Sequence, residues 1–173
     1  NRDGNLDLIR AHYSTGDTYL FLGDGKGGFS RSSIVGNRGS DPYGGAAADF
    51  DNDGNPDMII TEGGNGNHYF YKGNGDGTFA APIYIASLDP NNHSGIDPID
   101  YNGDGNLDVL LVNYTGLKMY LIPGNGDGTF GSWQQISTFN STTYMMAAST
   151  VPLGPTAGTP TAAFTANAYV AAA

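Results

Sequence analysis

Short apolar runs of three to five residues recur along the chain, each bounded by Gly, Asn or Asp: Leu6 to Ile9 and Tyr19 to Leu22, then Met58 to Ile60 and Tyr69 to Tyr71, then Val109 to Val112 and Lys118 to Ile122. Their brevity, their β-branched and aromatic content and the turn-forming residues around them predict strands joined by tight turns. Further strands are expected at Ser32 to Val35, Pro82 to Ile85 and Gln134 to Thr138, which makes roughly four strands in each 50-residue stretch. No run is apolar for the ~20 residues that a membrane-spanning helix needs.

The polar positions repeat in phase with the apolar ones. Asp3-Gly4-Asn5-Leu6-Asp7, Asp53-Gly54-Asn55-Pro56-Asp57 and Asp104-Gly105-Asn106-Leu107-Asp108 follow one another at steps of 50 and 51 residues. A second marker keeps the same step: Gly23-Asp24-Gly25-Lys26-Gly27-Gly28-Phe29, Gly73-Asn74-Gly75-Asp76-Gly77-Thr78-Phe79 and Gly124-Asn125-Gly126-Asp127-Gly128-Thr129-Phe130. A four-stranded antiparallel unit of ~40 to 50 residues in tandem is the sequence signature of β-propeller blades. The expected fold is therefore all-β, with about three blades and a partial fourth: residues 1–43 (N-terminally truncated), 44–94 and 95–145, then a degenerate partial blade or tail over 146–173. That last expectation comes from Tyr144-Met-Met-Ala-Ala-Ser-Thr150, which lies 101 residues beyond Tyr43-Gly-Gly-Ala-Ala-Ala-Asp49 but lacks carboxylates. Three and a half blades fall short of the ~4 to 8 of a closed ring, so remaining blades of the same protein or neighbouring subunits are expected to cover the open faces.

Composition narrows the partners. Seven Lys and Arg against 17 Asp and Glu give a net charge of −10, which argues against nucleic acid or an anionic membrane and for a cation. The chain has no Cys, so disulfides and zinc-thiolate sites are excluded. Nine of the 17 acidic residues fall in one recurring loop. In the second repeat it reads Asp49-Phe-Asp51-Asn-Asp53-Gly54-Asn55-Pro-Asp57, and in the third Asp100-Tyr-Asn102-Gly-Asp104-Gly105-Asn106-Leu-Asp108, with oxygen side chains at positions 1, 3, 5 and 9. Turn preference accounts for the glycines but not for the carboxylates, which repel one another unless a cation joins them. Calcium, a hard ion that takes six to eight oxygens, suits such a loop. The first loop offers only Asn1, Asp3, Asn5 and Asp7, a partial site. An EF-hand is excluded, because its position 12 must be a bidentate Glu between helices and here falls on Ile60 or Leu111 in an expected strand.

The D-x-[DN]-x-D-G-x-x-D loop, a strand pair and the G-[DN]-G-x-G-[GT]-F turn together resemble the FG-GAP repeat, also called the VCBS-type repeat, of integrin α-subunit propellers, over about residues 1–145. The resemblance implies a propeller of seven blades with calcium held in hairpin loops on one face, in secreted or cell-surface proteins used for cell adhesion, glycan binding or scaffolding. It maps the metal ligands onto Asp49, Asp51, Asp53, Asn55 and Asp57 and onto Asp100, Asn102, Asp104, Asn106 and Asp108, with the position-7 Asn contributing its backbone carbonyl. A calcium-binding adhesion or scaffolding module is the leading expectation and a lectin of the same type the alternative. The partner is an extracellular protein or glycan.

Other signals point away from chemistry. Gly23 to Gly28 satisfies G-x-G-x-x-G, but an expected strand rather than a helix follows it, so nucleotide binding is discounted. His12, His68 and His93 lack metal or triad spacing and are expected in surface or loop positions; Glu62 is the only glutamate, so no enzyme is expected. Asp24, Asp76 and Asp127 are expected to shape turns, and Phe29, Phe79 and Phe130 to pack between blades. Asn92, Asn113 and Asn140 head glycosylation sequons. Tyr43, Tyr71, Tyr114, Tyr120 and Trp133 are candidates for strand packing first and sugar stacking second.

Overall fold

Turn residues every five to ten positions leave room only for short strands. The computed structural model describes residues 1–12, 14–37, 42–62, 64–88, 93–113 and 118–138, and among them finds strands and no helix. The strands are β1 (Leu8–His12), β2 (Asp17–Gly23), β3 (Phe29–Asn37), β4 (Pro42–Ala48), β5 (Asp57–Glu62), β6 (Asn67–Tyr71), β7 (Ile83–Ser87), β8 (His93–Ile99), β9 (Asp108–Asn113), β10 (Lys118–Ile122) and β11 (Gln134–Thr138). They form three antiparallel sheets, ordered β1-β2-β3, β4-β5-β6-β7 and β8-β9-β10-β11. This is the expected all-β arrangement of blade-like sheets. The irregularities repeat as well: the register shifts at Thr18/Tyr19, His68/Tyr69 and Met119/Tyr120, which are matched positions 50 and 51 residues apart.

Two strands escape the sequence pattern. β4 (PYGGAAA) and β8 (HSGIDPI) carry Gly, Ala and Pro, which have poor strand propensity. They pack against each other at the edges of neighbouring sheets, and small side chains permit that approach. A Cβ on Gly44 would stand 3.5 Å from Ile96 Cγ2 of β8, already in contact. The first expected strand is displaced too: it starts at Leu8, while Leu6 is 86% exposed in the loop.

The core lies between the sheets, so β5 and β9, covered on both faces, are buried along their whole length. Ile59 and Phe70 of the second sheet, with Phe50 of its Asp-rich loop, meet Val109, Leu111, Tyr120 and Ile122 of the third. Met58, Ile60, Tyr69 and Tyr71 use the opposite face and meet Ile9 and Phe79. Phe130 joins Phe50 and Phe70 in three edge-to-face ring contacts with centroids 5.6 to 6.4 Å apart.

Three expectations need correction or narrowing. Phe130 packs back onto the preceding sheet as expected and Phe79 packs on Met58, Ile60, Tyr69 and Tyr71 of its own sheet, the face that also meets Ile9, but Phe29 is half exposed because no described sheet precedes its own. His68 is not on the surface: it is fully buried in β6 opposite Thr61 and Ala86. Asn113 is buried in β9, a poor position for a glycan acceptor. Asn92, Asn140, Tyr114 and the fourth unit from 146 lie outside the described residues, as does the side chain of Tyr43.

Candidate metal centre

Each Asp-rich loop leads into the second strand position of its sheet, and its last Asp is the hinge. Asp57 Oδ2 accepts the Phe50 N–H at 3.0 Å and its Oδ1 accepts the Gly73 N–H at 2.8 Å. Asp108 repeats this with Tyr101 and Gly124, and Asp7 accepts from Gly23. The last carboxylate therefore ties the loop to the glycine-rich turn. Burial pushes the Asp57 carboxyl up, with the two N–H donors only partly offsetting the lost hydration.

The position-7 Asn makes a second tie. Its side chain lies over the middle glycine of the turn, where an added Cβ on Gly75 or Gly126 would stand 2.4 or 2.0 Å from Asn55 or Asn106 Oδ1. The first turn glycine is equally confined, since a Cβ on Gly73 would meet the Pro56 carbonyl oxygen at 2.0 Å. These contacts explain why the two sequence markers stay in phase. Neighbouring loops are also joined: Arg2 Nη1 donates to Asn55 Oδ1 at 3.0 Å, and Asn52 Nδ2 donates to Asn106 Oδ1 at 3.3 Å and to the Gly126 carbonyl at 3.2 Å. Arg2 and Asn52 occupy the same loop position and both adopt positive φ.

Within the second loop, Asp49 accepts the N–H groups of Asp53 and Gly54, Asp51 accepts from Asp53, and Asp53 accepts from Asn55. Gly54 makes the apex at φ +85°, where a side chain would be strained. Oxygens of Asp49, Asp51 and Asp57 come within 4.8 Å of one another. Asp53 stands outside that trio; the Lys72 ammonium holds it at 2.6 Å and brings its carboxyl down to about 2, while also donating to Asp51. In the third loop Asp100 accepts from Gly103 and Gly105, Asn102 from Asp104, and Asp104 from Asn106. The Asn102 amide donates to Asp104 at 2.8 Å, and these donors hold Asp104 below the usual carboxylate range. In the first loop Asp3 is lowered likewise by Asn5 and Asn1.

The structure thus brings Asp49, Asp51 and Asp57 together in the second loop, whereas among the described residues Asp100, Asp104 and Asp108 of the third loop form no such group. Lys72, Arg2 and Asn52 were not among the expected site residues. Lys72 had a faint signal, a single cation placed directly before the turn glycine. Asp24, Asp76 and Asp127 shape their turns as expected: Asp24 accepts the N–H groups of Lys26 and Gly28, Asp76 and Asp127 each accept the hydroxyl and the N–H of Thr78 or Thr129, and these bonds hold all three below the usual range. Tyr71 and Tyr120 are buried in strand packing, and half-exposed Trp133 stands edge-on to Tyr120 at 5.4 Å.

A cleft of about 410 Å³ separates the first two sheets, lined among others by Arg2, Asn5, Leu6, Leu20, Pro56 and Phe79. Leu20 occupies the position that Phe70 fills in the next interface.

Tandem antiparallel sheets of three or four strands, each with an Asp-rich loop tied to a glycine turn, define a repeat protein of propeller-blade sheets. The family model described as FG-GAP-like repeat matches residues 1–60, 49–111 and 100–153, and the chain belongs to that family. No curated protein sequence matches it. Among solved structures it is similar to an Agrocybe aegerita lectin, whose structure is described as the basis of specific recognition of non-reducing terminal N-acetylglucosamine. The two share 20% identity at a TM-score of 0.51, over 76% of this chain and 38% of the lectin. The chain thus spans less than half of that lectin's length, and the likeness is one of fold.

Proposed function

We propose that this chain is a calcium-binding propeller segment that serves outside the cell as an adhesion or scaffolding module, with one blade per repeat and no catalytic role. The observation that carries it is the convergence of Asp49, Asp51 and Asp57, where backbone N–H groups and one ammonium, that of Lys72, face the carboxylates of the loop. Asp49, Asp51, Asp53, Asn55 and Asp57 would hold one ion, and Asp100, Asn102, Asp104, Asn106 and Asp108 a second. Asn1, Asp3, Asn5 and Asp7 would form a partial set. Calcium would supply the positive charge that joins each set of oxygens and fixes the loop rim.

Extracellular-type sites bind at ~10⁻⁴ to 10⁻³ M, so a site at the tight end contributes about 1.4 kcal/mol in ~1 mM calcium. Chelation is expected to lower the melting temperature by roughly 3 to 6 °C per site. Asp104→Ala should remove the third loop's share of that shift. A melting curve indifferent to chelator and to added calcium overturns the reading.

The cleft beside Leu20 favours glycan binding as a second reading. Its size suits a small ligand, it combines an apolar floor at Leu20 and Phe79 with polar groups at Arg2 and Asn5, and the similar lectin adds weight. A glycan array probed with and without calcium separates the readings. Retention of a defined sugar that Leu20→Phe abolishes supports the lectin, and silence across the array supports adhesion or scaffolding. No helix among the described residues is long and apolar enough to cross a membrane.

A further inference from the structure

Two differences between the second and third repeats change the charge at the loop. Asp51 stands where the third loop has Asn102, and Lys72 precedes Gly73 where Pro123 precedes Gly124. By charge alone the second loop, with four carboxylates to three, should bind calcium more tightly. Lys72 opposes that ranking. It leaves the end of β6 and brings its ammonium onto both Asp51 and Asp53, while its side chain remains partly exposed. Pro123 offers no charge, and among the described residues no cationic side chain pairs with Asp100, Asp104 or Asp108.

We propose that Lys72 is an internal competitor for the second loop, so that the third loop fills with calcium first and the second fills only as the ammonium is displaced. The inference rests on the calcium reading of the loops. A cation entering between Asp51 and Asp53 has to break both ion pairs and is repelled by the ammonium it displaces. Ion pairs at a partly exposed rim are individually weak, but two of them broken together correspond to roughly a tenfold loss of affinity, ~1.4 kcal/mol. The same contacts have a second consequence: without calcium, Lys72 neutralises part of the second loop, whereas the donors to the third loop's carboxylates are neutral, backbone N–H groups and the Asn102 amide.

The test is calcium titration by calorimetry on the 173-residue chain in two backgrounds, Asp104→Ala to leave the second loop and Asp53→Ala to leave the third. Lys72→Met, with Lys72→Gln as a second neutral variant, is expected to tighten binding roughly tenfold in the Asp104→Ala background and to change nothing in the Asp53→Ala background. Lys72→Arg, which keeps the charge, should retain the weak affinity. The calcium-free melting temperature should fall in both neutral variants. Unchanged affinity in the Asp104→Ala background overturns the competitor while leaving the calcium reading intact. Absence of calcium uptake by the parent chain overturns both.

Discussion

Asp57→Ala is expected to cost about 3 to 5 kcal/mol of folding stability whether or not calcium is present, because it strips the partner from two buried N–H groups at ~1 to 3 kcal/mol each. The carboxylate is fully buried, and its two oxygens are shared between Phe50 and Gly73, one on each side of the loop. Desolvation already weighs on this group, as its raised pKa records. Removing the side chain relieves that cost but leaves both donors facing a void, and the unpaired donors dominate. Asp57→Asn should fall between, since the amide keeps one acceptor oxygen but turns a donor toward the other N–H. Denaturant midpoints in chelator and in calcium read the difference. A loss below about 1 kcal/mol, or one seen only with calcium, would mean that Asp57 acts as a metal ligand rather than as a structural tie. Asp104→Ala is the contrast: its carboxylate is exposed, so its effect should depend on calcium.

That double duty of the last Asp marks the limit of what the sequence discloses. The repeat, the strand pairs and the Asp-rich loops are legible because each obeys a local rule: apolar runs between turn residues, and carboxylates spaced for a cation. β4 and β8 obey no such rule. Their Gly and Ala residues are selected by close approach to a neighbouring sheet, a contact between residues some 50 positions apart. His68 is buried for a related reason: both faces of its sheet are covered, which no local pattern around a single histidine states. The bond from Asp57 to Gly73 also spans 16 residues, so the spacing of the two markers contains it without naming it. Lys72 is harder still, because a lone lysine before a glycine is meaningful only once the fold returns it to the loop.

Phe70→Ala is expected to cost about 3 to 5 kcal/mol, equivalent to a fall in melting temperature of roughly 6 to 20 °C. Phe70 is 1% exposed, fills the interface between the second and third sheets and meets Phe50 and Phe130 edge-on. Truncation removes the buried ring, leaves a cavity that two sheets tied through their loops cannot readily close, and loses ring contacts worth ~0.5 to 1.5 kcal/mol each. Phe70→Leu should cost much less. Leu20 fills the matched position in the first sheet, so the backbone there accommodates leucine at the expense of a wider gap between sheets. The two interfaces therefore supply their own control: Leu20→Ala opens a site that already borders a cleft and should destabilise less than Phe70→Ala. If calorimetry finds the two truncations equally costly, the cleft is not the weaker interface. If Phe70→Ala costs under about 1 kcal/mol, the aromatic trio does not hold the sheets together.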